Sequence, residues 1–494
     1  MKEGPTLVIA EKPSTAKSIA RALAAISGNA PRAVKGRGLI YYELIVNGRL
    51  HIVSPAVGHL YGIHQKGSGW SYPVFDVEWK PSWEIDKSSQ FTRPYLENFM
   101  SLGRQCTSFI SATDYDREGS VIAYNILKFA CGTEKARRMK FSTLTTPDLV
   151  RSYNDAGELD YGQIQAGLAR HILDWYWGIN ITRALTLAMK PHSRGFGILS
   201  SGRVQGPTLK LLADREREIS SFVPEKFWTI LLLCRHEGLE FVARSDPERI
   251  WDEAQAEEIY QKCLGQPAYV TRAETKVVTL YPPPPFDLTS LQTEAYRHFG
   301  FTPARTMNIA QALYEEALIS YPRTSSQKLP PTIGYERIVS QISNQARYSG
   351  LCGRLLADGR LKPRQGAKSD PAHPAIYPTG ARPGRLRIDQ DKLYDLICRR
   401  FLASFARPAK RESTDVVLTA AGFPFRASGR RTLEANWIEF YGPYAKFEDV
   451  ILPHLQEREQ VEVLDVKKEG KETEPPGRYS QASIIKEMER RSLG

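Results

Sequence analysis

No stretch of this sequence approaches the roughly 20 consecutive apolar residues that span a bilayer. The longest apolar run near the N-terminus, Leu7–Ala10, is closed by Glu11. A charged segment leading into an apolar core and a small-residue cleavage site is also missing, so no secretory leader is expected. Cysteine is scarce. Cys106, Cys131, Cys234, Cys263, Cys352 and Cys398 stand far apart, without the paired spacing that closes a zinc ribbon or finger. Zinc is therefore not expected, nor is a disulfide framework in a chain of this size. No internal repeat of fixed period is evident. These absences predict a cytoplasmic protein with no membrane partner.

What is present is an ordinary globular composition. The 494 residues are 41% hydrophobic and 25% charged, enough for about three domains with real cores. Lys and Arg number 67 against 55 Asp and Glu, a net charge of +12. The excess is local. Between Arg360 and Arg411 stand thirteen basic residues and only four acids, Asp370, Asp389, Asp391 and Asp395. Such a run suits a polyanion, whose counterions Lys and Arg contacts release. A solvated basic surface is the plainer alternative.

Thr6–Ala10 reads as a short buried strand followed by Glu11-Lys12-Pro13-Ser14 and a helix over Thr15–Leu23. Phe109–Asp114 repeats the pattern, with Gly119 and a helix over Ser120–Ala130 behind it. Strand, polar turn and helix twice over predict an α/β domain with a largely parallel sheet, and ligands gather at the carboxyl ends of such strands. The chain then turns helical, with candidates at Ile164–Trp177 and Val204–Ile219. Strands are expected at Phe227–Cys234, Leu239–Arg244, Ala268–Arg272 and Lys276–Tyr281, before the stiff run Pro282–Pro285. Helices follow at Leu288–His298 and Thr302–Glu316, and strands resume at Ser413–Ala420, Thr432–Trp437 and Gln460–Lys467. The two β-rich stretches suggest one domain made of separated segments.

Asp114-Tyr115-Asp116-Arg117-Glu118 places carboxylates at alternate positions, which in extended backbone face one side. They could share one hard cation such as magnesium, with Glu11 joining from the neighbouring strand. A salt-bridged turn around Arg117 is the other reading. Leu318-Ile319-Ser320-Tyr321-Pro322-Arg323-Thr324 follows an amphipathic helix, and Pro322 biases Tyr321 out of helical backbone. A phenolate can attack phosphorus while a guanidinium holds the phosphate oxygens, although a tyrosine in this setting can equally be packing. His373 lies among prolines in the basic run, where a loop histidine can be incidental. Ser201–Thr208 sets Arg203 and Gln205 at a helix start, which suits phosphate binding or ordinary capping.

Taken in order, these pieces resemble the type IA DNA topoisomerases, most closely the archaeal and topoisomerase III-like members. The resemblance is carried by LVIAEKPSTAKSIA (Leu7–Ala20), SPAVGHL (Ser54–Leu60), DYDREG (Asp114–Gly119) and SSGRVQGPTL (Ser200–Leu209). PFDLTSLQTEA (Pro285–Ala295), AQALYEEALISYPRT (Ala310–Thr324) and DPAHPAIYPTG (Asp370–Gly380) complete it.

The resemblance implies an α/β Toprim domain, residues 1–147, plus mixed α and β domains forming a discontinuous toroid. A helical domain lining the single-strand groove would take 148–220 and 478–494, a β-rich arch 221–282 and 412–477, and the tyrosine domain 283–411. It implies an ATP-independent isomerase that cuts one strand, passes DNA and religates through a 5′-phosphotyrosine, relaxing negative supercoils or decatenating. The family's nucleophile falls on Tyr321, with Arg323 neutralising the scissile phosphate. Lys12 falls beside that phosphate and Glu11 near the leaving 3′ oxygen. Asp114, Asp116 and Glu118, with Glu11, match the Mg2+ carboxylates. Arg138, Arg170, Arg203, Gln205, His373 and His59 match positions that support the site or hold DNA. The implied partner is DNA, single-stranded at the cut and duplex or single-stranded in the hole, bound by a monomer associated with the nucleoid; RNA suits the charge equally. The absence of a GxxxxGK[ST] loop speaks against the reverse gyrase arrangement. Two other functions remain open: a Toprim metal-dependent nuclease or phosphoryl transferase, and a non-catalytic single-strand binder. LISYPRT and SSGRVQGPTL separate the first, which has no need of them.

Ser120 and Ser325 stand where many relatives carry Glu and Asp, and Pro374 and Tyr377 follow the archaeal pattern. Ser480–Gly494 resembles the segment that leads into a further DNA-binding stretch. By this resemblance roughly a hundred residues, about one domain's length, and any zinc-binding tail would lie beyond it. The expectation is that this chain alone binds single strands less well than a full-length relative.

Overall fold

The computed structural model describes residues 4–36, 38–192 and 197–493. Strand β1 (Thr6–Ala10) is buried along its whole length, as an uninterrupted apolar run in the middle of a sheet must be. It lies between β4 (Arg49–Pro55) and β7 (Ser108–Ala112), parallel to both. The full order is β2 (Arg32–Gly36), β3 (Leu39–Val46), β4, β1, β7, β8 (Arg137–Arg138) and β9 (Gly157–Glu158). The sheet is less parallel than expected. Only its centre, β4-β1-β7-β8, runs one way, while β2-β3, β3-β4 and β8-β9 pair antiparallel. The hairpins flanking the βα units could not be seen in the two strand–turn–helix patterns. A separate ribbon pairs β5 (Tyr61–Gln65) with β6 (Val77–Pro81).

Helix α1 (Pro13–Ile26) starts with proline at its first turn, where the missing N–H costs nothing, and packs Ala16, Ile19, Ala20 and Leu23 onto the sheet. Helix α2 (Arg117–Asn125) follows β7 and continues as a π-helical turn to Ala130. Helix α3 (Tyr161–Met189) outruns its expected end at Trp177 and is capped by Asp160, whose carboxylate accepts from Gln163 N. Helix α4 (Gln205–Ser221) comes next.

Six strands then close a barrel in the order β10 (Lys226–His236), β11 (Leu239–Ser245), β14 (Phe423–Glu434), β13 (Ala409–Ala420), β12 (Ala268–Leu280) and β15 (Gln460–Glu472). Segments from both sides of the proline run thus share one core around Ile230, Leu232, Val416, Leu418 and Phe425. Two expected strands are one: β12 runs unbroken from Ala268, absorbing a bulge between Val270 and Arg272. The strand expected at Thr432–Trp437 is instead the end of β14. Asn436, at φ +45°, turns the chain, and Trp437 opens a short helix with its indole N–H donating to Leu280 O at 2.9 Å.

Between the barrel's two segments lie α5 (Leu288–Phe299), α6 (Pro303–Glu315) and α7 (Ile388–Phe405), and α8 (Gln481–Arg490) returns to pack on α5. Much of the basic run is used inside this fold. Arg364 and Arg400 donate to the Pro282 and Pro284 carbonyls, and Arg399, Arg407, Lys410 and Arg411 pair with Asp395, Asp358, Glu434 and Asp449. Its local excess is therefore first a structural device. No helix among the described residues is long and apolar enough to cross a membrane.

Candidate active site

The carboxyl ends of β1 and β7 bring Glu11 and the Asp114 loop together, with Asp114 N donating to Glu11 Oε2 at 3.3 Å. Burial, and then the neighbouring carboxylates, push Glu11 well above the usual carboxylate range, and Asp114 rises for the same reasons. Acids so raised by one another are short of positive charge, and their oxygens suit a hard divalent ion.

Arg138 answers part of that need from below. It is 1% exposed. One Nη donates to Ser111 Oγ at 2.8 Å, Thr113 O at 2.8 Å and Thr113 Oγ1 at 2.9 Å, and the other to Asp114 O at 2.6 Å. These bonds satisfy carbonyls that the end of β7 leaves open and fix the path of the acidic loop.

The alternation expected of Asp114, Asp116 and Glu118 ends at Asp116. Asp116 is the N-cap of α2, its Oδ1 accepting from Gly119 N at 2.7 Å, so Glu118 sits in a helical first turn and the period of two no longer applies. Glu118 meets His59 and His171 instead, each Nε2 at 3.0 Å from Glu118 Oε2. Those two bonds hold its carboxyl far below the usual range.

Gly119 allows the tight turn. A Cβ there would stand 2.2 Å from Asp114 O and 3.1 Å from Glu11 Oε2. Gly119→Ala is expected to lower stability by about 1–3 kcal/mol, the usual cost of overpacking, and to displace the acidic loop. Thermal unfolding of the two proteins checks the first. A melting temperature equal to wild type would show that the loop has slack.

Tyr321 arrives from the other side. Thr302 caps α6, which ends at Glu315, and Ala317 at φ +58° turns the chain. The next residues are pinned as extended backbone against the histidine segment. Ile319 bridges Pro378, Ser320 N donates to Tyr377 O at 2.9 Å, and Tyr377 N donates to Ser320 Oγ at 3.0 Å. Two motifs set apart in the sequence are therefore one paired unit. Tyr321 N then donates to Ser142 O at 2.8 Å across the seam with the sheet domain. The Tyr321 hydroxyl donates to Asp116 Oδ2 at 2.6 Å, and the Tyr314 hydroxyl to Asp114 Oδ1 at 3.0 Å. Tyr321 is 3% exposed, and burial beside Asp116 and Asp114 raises its phenol far above the ordinary tyrosine range.

Lys12 crosses the same seam, donating to Glu315 Oε1 at 3.0 Å, while Ser14 donates to Glu315 Oε2 at 3.0 Å. Arg323 is exposed and has no hydrogen bond or ion pair among the described residues. His373 is enclosed rather than open. Its ring lies 4.6 Å from that of Tyr321, its Nδ1 is 3.1 Å from Ser142 Oγ, and burial pushes its pKa down to about 4, so it is neutral. Asp370 shapes its loop, accepting from Ala372 N, His373 N and Ser325 Oγ. Serine at position 325 spares Asp370 the like-charged neighbour that an aspartate would be. Arg203 donates to Asp174 Oδ1 at 2.5 Å and Arg170 approaches Asp174 Oδ2 at 3.7 Å, so both gather on α3, whereas Gln205 is exposed at the start of α4.

Tyr314, Glu315, Ser142 and His171 were not singled out in the sequence. The first two lie inside the AQALYEEALISYPRT block, where only their distance from the acidic loop concealed them. Ser142 and His171 carry no local signal.

A family model described as DNA topoisomerase matches residues 158–494, and one described as Toprim domain matches residues 6–144. DNA topoisomerase 1 of Pyrococcus horikoshii is 47% identical over 493 residues, covering 99% of this chain and 71% of that protein. DNA topoisomerase 1 of Methanocaldococcus jannaschii is 43% identical over 493 residues, covering 99% of this chain and 63% of its own length. Among solved structures, full-length topoisomerase I from Thermotoga maritima superposes with a TM-score of 0.73 at 27% identity, covering 99% of this chain and 76% of that one.

Proposed function

This chain belongs to the type IA DNA topoisomerase family, and we propose that it cuts one DNA strand through Tyr321, lets DNA pass through the break and reseals it without ATP. The observation that carries the reading is the Tyr321 hydroxyl, 2.6 Å from Asp116 and directed at the carboxylate cluster that holds the buried Asp114 and the half-buried Glu11. Tyr314 shares that neighbourhood through Asp114, but it belongs to helix α6, whereas Tyr321 follows in extended backbone two residues before the exposed Arg323.

In the proposed reaction the Tyr321 oxygen attacks the scissile phosphorus and the 3′ oxygen leaves, giving a 5′-phosphotyrosine. Asp116 Oδ2 is placed to take the phenolic proton. Glu11, raised enough to keep a proton near neutral pH, supplies one to the departing 3′ oxygen. Arg323, with no partner among the described residues, is available to hold the phosphate oxygens. Lys12 exchanges Glu315 for the same phosphate. Resealing runs these steps backwards.

The Toprim domain is a metal-binding fold, and Glu11, Asp114 and Asp116 are the residues that would hold a magnesium ion, by their donor type. When bound, such an ion supplies the positive charge that the cluster lacks. Arg170, Arg203 and Gln205 would guide the single strand along α3 and α4.

The test uses a single-stranded oligonucleotide labelled at either end, incubated with the protein and then denatured. The 3′ label is expected on the protein and the 5′ label free. Both labels free would mean hydrolysis by the carboxylates, and a 5′ label on the protein would mean the opposite linkage. Either result overturns the reading.

A further inference from the structure

We infer that His59, Glu118 and His171 form a second cation site, one that takes a borderline transition-metal ion of the zinc class and is separate from the hard-ion carboxylates. The three ligand atoms lie within 4.8 Å of one another, and among the described residues no other group of three His, Cys, Asp or Glu side chains does so. Both imidazole Nε2 atoms converge on one oxygen, Glu118 Oε2, at 3.0 Å. An ion at zinc's usual bond lengths, held tetrahedrally, separates its ligand atoms by about 3.4 Å. The two imidazole–carboxylate separations, at 3.0 Å, are a few tenths of an ångström inside that value, and the third lies within 4.8 Å, so an ion would draw the two part-exposed rings together.

Each ligand is brought in by a separate element. Gly58, at φ +91°, turns the chain after β4, and the Ser82 hydroxyl donates to the His59 carbonyl at 3.0 Å. Glu118 is fixed in the first turn of α2. His171 stands one turn after Gly167 on the same face of α3. A Cβ at Gly167 would stand 2.5 Å from Val121 Cγ2 and 3.0 Å from Arg117 O. Glycine there lets α3 approach α2 closely enough for His171 to reach Glu118.

The surroundings suit an ion as well. The rings of His59 and His171 lie 4.8 Å apart, and Trp79 walls the far side of His171 at 5.8 Å. The His59 ring meets the cluster through Nε2, and its buried Nδ1 has no hydrogen-bond partner among the described residues. The side chains are 30%, 34% and 27% exposed, so an ion can enter and a fourth position stays open to water or an anion. Two imidazoles favour zinc-like ions over magnesium, which prefers oxygen and keeps its water. The paired-cysteine argument against zinc does not bear on a site of this kind.

The inference does not depend on the strand-cleavage reading, because its readout is binding. The full chain, stripped with a chelator, is titrated with Zn2+ by calorimetry in excess Mg2+. One Zn2+ that Mg2+ does not displace is expected. His59→Asn and His171→Asn should each weaken it by at least about 100-fold, the upper range for disturbing even an outer-shell partner. Asp116→Asn should leave it in place. Unchanged Zn2+ binding in both histidine variants, loss in Asp116→Asn, or displacement by Mg2+ overturns the site. A measurement on the zinc-loaded wild type guards against variants that fail to fold. Its X-ray absorption should show two imidazoles and an oxygen, and a sulfur shell or oxygen ligands alone would equally overturn it.

Discussion

Tyr321→Phe is expected to abolish the covalent protein–DNA adduct while the protein stays folded and still binds single strands. The phenol's one hydrogen bond goes to Asp116, and Asp116 keeps its second contact, the N–H of Gly119. Losing the hydroxyl therefore costs the fold only about 1 kcal/mol. The ring retains its edge contact with Tyr314 and its tilted contact with His373, whose centroids lie 5.2 Å and 4.6 Å away. Tyr314, the other phenol at the cluster, is held within helix α6 by Asp114, so adduct should fall by at least about 1,000-fold, to background. Labelled DNA on denaturing gels measures this, and melting curves confirm the fold. Adduct persisting in the variant would move the nucleophile elsewhere.

Arg138→Met should be the most damaging substitution outside the chemistry itself. Its guanidinium is wholly buried, and burial lowers its pKa against the pull of Asp116 and Asp114. Methionine fills much of the volume but donates nothing. Ser111, Thr113 and the Asp114 carbonyl would lose their donor, and three carboxylates would lose the cation beneath them. Breaking a buried charged arrangement by removing one side costs about 3–5 kcal/mol. Chemical denaturation should show a loss of that size, with adduct formation falling alongside. A loss below about 1 kcal/mol, the scale of an exposed pair, would mean that water replaces the guanidinium.

Much of this was legible in the sequence because the motifs sit where local rules act. Leu7–Ala10 reads as a strand from its unbroken apolar run, and Pro322 marks where the chain leaves helical backbone at Tyr321. Glu11 and Asp114 could be placed together because both close parallel strands. Local rules also misled. Alternation put Glu118 beside the aspartates, yet the N-cap at Asp116 turns the chain into a helix before Glu118 is reached. The Glu118 contacts to His59 and His171 span 59 and 53 residues, and no spacing rule reaches so far. His373 read locally as an incidental loop histidine, but the fold encloses it between Ser142 and Tyr321. In the basic run, pairs such as Arg407–Asp358 and Arg411–Asp449 needed the fold before they could be seen.

In the proposed reaction the seam would also set when the protein is reactive. Tyr321 lies beneath it, protonated, with Lys12 tied to Glu315 nearby. A phosphodiester that merely collides with the surface finds neither a free hydroxyl nor the lysine. On the proposed reaction, a strand is cut once it is bound firmly enough to draw Lys12 from Glu315 and reach the phenol. The Lys12–Glu315 pair would then act as a safety catch that the substrate itself releases.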